Sequence, residues 1–285
     1  QKKKKKQVMT GKHMGDGGAA HADPAYQRFE FSGSQLEHFP ITKLYPAEIS
    51  RKLDELSTDL LKCTPQEMLD NWSFNRVPSN HFTRYSNQLK DAHIKERTSL
   101  VQSLLKNAEH EFNFIRGLMI FLQEELDWKC YQLYGLIDED LTYQGEPFPL
   151  AFGERTFEIL LARKVARKVV SPTTWFERHN AQALTEPPEH WPEDYRELYF
   201  RRHDMLQENK NIALIKPPED KRRWNTEPWE SQVERAIRNW LLDRLERYFD
   251  FDGRMNPEGT PTAETDIQLI SIAQLADIAR RDPQF

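Results

Sequence analysis

Cysteine is nearly missing from this sequence: Cys63 and Cys130 are the only two. One widely separated pair builds neither a disulfide framework nor a cysteine-based zinc site, so a reducing cytoplasm is the expected compartment. Glycine is also scarce, 11 in 285 residues, and four of these sit at Gly11, Gly15, Gly17 and Gly18. The remainder supplies little of the turn chemistry that a sheet-rich or dinucleotide-binding fold requires, and helix is expected to dominate. No apolar run approaches the roughly 20 residues that span a bilayer, and no apolar signal segment follows the N-terminal lysines. No membrane partner is expected. Positive charge is not in excess either, with 40 Lys and Arg against 45 Asp and Glu. Six of the basic residues, Lys2 to Lys6 and Lys12, precede any acidic one, and without them the balance is 34 to 45, or −11. A body this acidic does not coat nucleic acid over its whole surface, so any DNA contact has to be local. With no initiator Met and no turn or cap after the last helical pattern, the chain reads as a piece of a longer polypeptide.

What the sequence does contain is helical periodicity. Residues 1–28 hold the lysine run and the glycine cluster and read as a disordered arm. Gly15, Gly17 and Ala20 fit GxGxxA only formally, because no buried strand precedes them and Asp23-Pro24 interrupts the helix that would have to follow. Residues 28–31 alternate like a short strand. Pro46 opens a helical pattern in which Ile49, Leu53, Leu56 and Leu60 are spaced 4, 3, 4, and Thr64-Pro65 closes or interrupts it. After an irregular stretch at 72–85, Val101, Leu105, Ala108, Phe112, Ile115, Met119, Leu122 and Leu126 follow a 4, 3 alternation without a break. That is a heptad seam, and from Asp91 to Tyr134 it predicts one helix about 65 Å long. The 47–61 helix shares the spacing and is expected to pair antiparallel with part of it. Further helices are expected at 154–170, 193–209, 228–249 and 263–281.

Chemistry-bearing motifs are few. The nine histidines are scattered and form no HExxH, and neither GxSxG nor GxxxxGK[ST] occurs. Carboxylate pairs such as Glu124-Glu125 and the Asp138 to Asp140 run read as solvated helix faces or ends. Two places put basic groups together. In residues 221–229, Lys221, Arg222 and Arg223 adjoin Trp224, a combination that binds phosphates and stacks on a base; a structural corner opening the next helix is the plainer reading. Arg163, Lys164, Arg167 and Lys168 stand at i, i+4 spacing on one expected helix, where they would track a phosphate backbone or form a solvated face. With Lys12, these are the candidate DNA-binding residues. No catalytic, cofactor-binding or metal-ligating residue is found.

Four segments together carry a resemblance: FEFSGSQLEHFP at 29–40, LQEELDWKCYQLYG at 122–135, TWFERH at 174–179 and KRRWNTEPWE at 221–230. They resemble the C-terminal half of the PglX-type adenine-specific DNA methyltransferases of BREX and Pgl phage-exclusion systems, which are similar to single-chain restriction-modification methylases. The resemblance runs from about residue 7 to 285. It implies methyl transfer from S-adenosylmethionine to adenine N6 through an [NDS]PP[YF] motif that holds a flipped base. Here the Pro-Pro pairs are flanked by Glu186 and Glu189 and by Lys216 and Glu219, with neither the polar acceptor before nor the ring after. The glycine-rich cofactor loop is missing too, so S-adenosylmethionine is implied only for a catalytic domain outside this chain.

The resemblance further implies a target-recognition region joined to long paired helices, as in type I specificity subunits. The expected organisation is a mostly α chain in three parts. Residues 1–45 form a disordered arm and the short irregular or β tail of a recognition-like region, 46–140 a long antiparallel helical hairpin acting as a coiled-coil-like spacer, and 141–285 a C-terminal helical unit. The expected function is the recognition and scaffold portion of such a methyltransferase, with DNA and other phage-defence proteins as partners. The alternative is a docking module that never touches DNA.

Overall fold

The computed structural model describes residues 4–7, 27–30, 37, 40–74, 94–213, 221, 224, 226–246 and 271–281. Among them are nine helices: α1 (Ala47–Lys62), α2 (Pro65–Phe74), α3 (Ile94–Leu133), α4 (Thr156–Ala166), α5 (Trp175–Arg178), α6 (Glu193–Glu208), α7 (Lys210–Ala213), α8 (Trp229–Glu246) and α9 (Ile272–Arg281). The mostly α class expected from the scarcity of glycine is therefore what the chain adopts. Contacts divide the chain into two compact units, Gln1–Leu60 with Phe112–Thr226, and Leu61–Glu111 with Glu227–Phe285. Helix α3 supplies residues to both units.

Part of the N-terminal arm is a strand. β1 (Lys4–Gln7) pairs antiparallel with β2 (Gln27–Glu30), Lys4 opposite Glu30 and Lys5 opposite Phe29. A lysine run read alone lacks strand character; backbone pairing with 27–30 supplies what the local pattern does not.

Thr64-Pro65 is a helix start. The Thr64 hydroxyl accepts the Glu67 amide at 3.4 Å while Pro65 takes the first helical position, where its missing N–H costs nothing. The resulting α2 was not expected from the sequence. In the second unit Met68 and Leu104 are buried among Leu100, Val101, Leu105 and Ala108, and Leu69 packs with Ala236, Trp240 and Leu241 of α8. The first three seam positions of α3 are thus used against α2.

In the first unit the seam continues through buried Phe112, Ile115, Met119 and Leu122. Ile120, Phe121, Glu124, Glu125, Trp128 and Tyr131, which lie off the seam, are buried as well. A helix buried on more than one face is a core helix, and this half of α3 is one. It stops at Gly135, whose φ of +64° closes the end with Leu136 N–H donating to Tyr131 O at 2.9 Å. The apolar stripe of α1 is only half-buried, and no α1 residue is fully buried.

Helix α4 ends sooner than its apolar pattern. Arg167 is its C-cap and Lys168 has φ 58°, with Val169 N–H returning to Lys164 O at 2.9 Å. The four basic residues expected on one continuous helix are therefore split between its last turn and the cap.

Gly153, just before α4, has φ +92°, and a Cβ there would lie 2.1 Å from the carbonyl oxygen of Gln182. Only glycine meets both conditions. Gly153→Ala is expected to lower the unfolding free energy by about 3 kcal/mol, combining backbone strain with overpacking. Urea denaturation followed by tryptophan fluorescence measures it.

Candidate functional site

The densest chemistry in the described residues lies where α3 meets α4 and α6. Glu124 and Glu125, each 4% exposed, enter from α3, and Arg202, 0% exposed, enters from α6. Glu125 accepts two hydrogen bonds from Arg202 Nη2, at 2.7 and 2.8 Å, and one from the Tyr143 amide at 2.6 Å. Nη2 also donates to Leu141 O at 2.7 Å, Nε donates to the same oxygen at 2.9 Å and Nη1 to the Tyr195 hydroxyl at 3.3 Å, and the guanidinium lies over the rings of Trp128 and Tyr195. A charge this deep survives only when its donors are satisfied, and each of the three guanidinium nitrogens has a partner.

Glu124 does different work one residue earlier. Its Oε1 accepts Trp128 Nε1–H at 3.1 Å and the Thr156 amide at 3.3 Å. Thr156 is the first residue of α4, so a carboxylate from α3 caps the positive end of a neighbouring helix. The cap is completed by Glu158. Its Oε2 accepts the amides of Gly153 and Arg155 at 3.1 and 3.2 Å, and its Oε1 accepts Trp175 Nε1–H at 3.1 Å and Arg155 Nη2–H at 2.9 Å. The TWFERH segment thereby acquires a structural role, since Trp175 of α5 is fully buried against Glu158.

On the other side of Trp128, Lys221 is nearly buried and pairs with Asp127 at 2.7 Å; it also donates to the Tyr131 hydroxyl and lies over the Tyr131 and Phe157 rings. Burial lowers the Lys221 ammonium's affinity for its proton, but Asp127 and Tyr131 more than reverse this and hold it above its usual range. Tyr131 is pushed up to about 12, chiefly by burial. Burial likewise pushes the Glu125 carboxyl up, against the pull of Arg202. At Glu124 burial is outweighed by Arg202, Thr156, Lys221 and Trp128, which hold its carboxyl below the usual carboxylate range. Arg202 stays charged, because burial is overcome first by Glu125.

These groups anchor one another and leave no room for a substrate. The cavity between Glu124, Asp127, Trp128, Tyr131, Phe157, Leu206 and Lys221 measures about 10 Å³. That is close to the space of one water, whereas small-molecule sites enclose on the order of 300 Å³ or more. S-adenosylmethionine does not fit this cavity. No group of three or more His, Cys, Asp or Glu is placed to hold a metal among the described residues.

Several expectations are corrected here. Glu124 and Glu125 are not solvated; they are core groups, and local polarity could not reveal the arginine that arrives from 77 positions away. Lys221 and Trp224 are core anchors, since Lys221 is tied to Asp127 and Tyr131 and the Trp224 ring is buried. Lys12, Arg222 and Arg223 lie outside the described residues. Arg163 is half-committed: it donates to Thr185 O, to Glu186 at 2.5 Å and to His203 Nε2 at 3.0 Å, and it lies over the Tyr199 ring. Arg167 and Lys168 are exposed and Lys164 is half-exposed, so of the nine candidates these three form a basic edge at the end of α4.

Residues 119–285 match the family described as Domain of unknown function (DUF7008). The chain belongs to the DUF7008 family. It is also 36% identical over 281 residues to the adenine-specific methyltransferase PglX of Streptomyces coelicolor, a match that takes in 96% of this chain and 20% of that protein, in its C-terminal part. The chain thus spans about a fifth of the length of the curated relative it matches. No solved structure matches it. The DUF7008 segment begins at Met119 and so contains Glu124, Glu125, Glu158, Arg202 and Lys221, the whole buried network.

The depressed Glu124 carboxyl makes this DUF7008 core sensitive to acid. A group held below its unfolded value of about 4.3 contributes stability that is present above that pH and lost as pH falls through the folded value. The cost of Glu124→Gln is therefore expected to be largest near neutrality and to shrink as pH drops below about 4. Urea titrations of both proteins across that range measure it.

Proposed function

We propose that this chain is the recognition and scaffold portion of an S-adenosylmethionine-dependent, adenine-N6 DNA methyltransferase acting in phage defence in the cytoplasm. The observation that carries this reading is the 36% identity, across 96% of the chain, to a protein named an adenine-specific methyltransferase. Methyl transfer itself is assigned to another part of the full-length protein. Glu186-Pro187-Pro188-Glu189 lacks the polar acceptor and the aromatic ring that the reaction needs.

In this reading α3 is a rigid spacer. Its forty residues run without interruption from Ile94 to Leu133, and the charge network fixes its C-terminal half inside a folded unit. DNA would meet the basic edge of Lys164, Arg167 and Lys168, which is local, as the acidic body requires. The same residues also complement the negative end of α4, worth about 0.3 to 1 kcal/mol each, so their charge alone does not establish a phosphate contact.

A second reading is favoured by a different observation. Ile41, Leu44 and Tyr45 are exposed ahead of α1, whose apolar stripe is only half-buried. That surface fits docking of other phage-defence proteins without DNA. Binding of the 285-residue chain to duplex DNA over a salt series separates the two. The proposal expects binding at low salt that falls steeply as salt rises, and at least a tenfold loss, roughly, on reversing Lys164, Arg167 and Lys168 to Glu. Absence of binding at the lowest salt leaves the docking reading.

A further inference from the structure

Arg163 is held by groups from two neighbouring segments, the loop at 185–186 and α6. The side chain is 13% exposed, in the last turn of α4. Its Nε–H donates to Thr185 O, and Nη1 meets His203 Nε2 of α6 at 3.0 Å, which makes that ring nitrogen the acceptor. The guanidinium plane lies 5.8 Å from the centre of the Tyr199 ring. Nη2 donates to the carboxylate of Glu186 at 2.5 Å. Glu186 is 71% exposed.

The two halves of this ion pair therefore differ in what holds them. Arg163 is locked from behind by the Thr185 carbonyl, the His203 ring and Tyr199, and it keeps its position whether or not Glu186 is present. Among the described residues Glu186 makes a hydrogen bond to Arg163 alone, and it stands largely in water, so leaving the guanidinium costs it little desolvation. An oxygen anion other than this carboxylate can take its place on a pre-oriented donor, and a phosphate oxygen is the anion for which a fixed guanidinium is best suited. The same helix end carries Lys164, and the cap carries Arg167 and Lys168.

Resting on the reading that DNA meets this basic edge, we infer that Glu186 is an intramolecular stand-in for a DNA phosphate. It occupies Arg163 in the free protein and is displaced when a phosphate backbone lies along the α4 terminus. Glu186 thus sets the affinity of the edge: it withholds one cation from DNA and places a negative charge beside the other three. Asp204, which faces His203 at 3.1 Å, adds a second nearby carboxylate that also has to be screened, and this keeps binding weak and salt-sensitive.

The test is duplex DNA binding by the full chain over a salt series, with Glu186→Gln, Arg163→Gln, the double substitution, and the Lys164/Arg167/Lys168 reversal. Glu186→Gln is expected to raise affinity about three- to tenfold near 0.1 M salt while leaving the slope of log affinity against log salt unchanged, because Arg163 meets the phosphate in both proteins once Glu186 is displaced. In the background of Arg163→Gln the same change is expected to raise affinity by less than about twofold. A melting curve for each variant identifies loss of fold. A Glu186→Gln affinity equal to that of the parent overturns the inference, as does a gain of the same size without Arg163, since that reports net charge alone. If the reversal at Lys164, Arg167 and Lys168 leaves binding unchanged, the basic-edge reading fails and takes the inference with it. If the reversal weakens binding while Glu186→Gln does not raise the affinity, only the inference fails.

Discussion

The structure around α3 depends on a charge pair that water cannot reach. Glu125 and Arg202 come from helices far apart in sequence, and neither could be buried without the other. Their pairing fixes more than two side chains. Through Leu141 O and the Tyr143 amide it pins the loop that follows α3, and through the hydroxyl of Tyr195 it ties down the start of α6. The aromatic rings pack around that frame. Phe148 meets Tyr195 with centroids 4.8 Å apart, and Trp191 meets Tyr195 at 5.0 Å, both near perpendicular. Edge-on contacts of this kind add about 1 kcal/mol beyond the area they bury.

Around the same frame, charge is used to terminate helices. Glu124 and Glu158 receive amides at the start of α4, while Arg163, Lys164, Arg167 and Lys168 gather at its end. Both follow from one dipole. The basic edge proposed to meet DNA is therefore also a helix terminus, and its first cation is already spoken for by Glu186. A local, partly occupied set of positive charges is consistent with a chain whose body is strongly acidic.

Much of the helical frame was legible in the sequence. The seam from Val101 to Leu126 gave the length of α3 to within a few residues, because a 4, 3 alternation over that span has one regular solution. Pro46 and Pro228 marked the starts of α1 and α8. Side-chain roles were much less legible, and the reason is long-range pairing. Glu124-Glu125 and Lys221 look solvated because local windows see only their polarity; Arg202 and Asp127, which make their burial possible, are 77 and 94 positions away. The strand β1 was missed for the same reason, its partner strand β2 being remote in sequence. Trp224 could be read either as a stacking platform or as a corner, and burial decides for the corner. The α4 patch was overextended, because nothing in its apolar pattern marks the left-handed turn at Lys168.

The claim on which this account rests is that Glu125 and Arg202 act as one buried unit. A double-mutant cycle with Glu125→Gln, Arg202→Met and both together, read by urea unfolding at neutral pH, addresses it directly. The account predicts that each single substitution costs about 3 kcal/mol or more while the double costs little more than either, giving a coupling of roughly 2 to 3 kcal/mol. Costs that simply add, with coupling below about 0.5 kcal/mol, would contradict it.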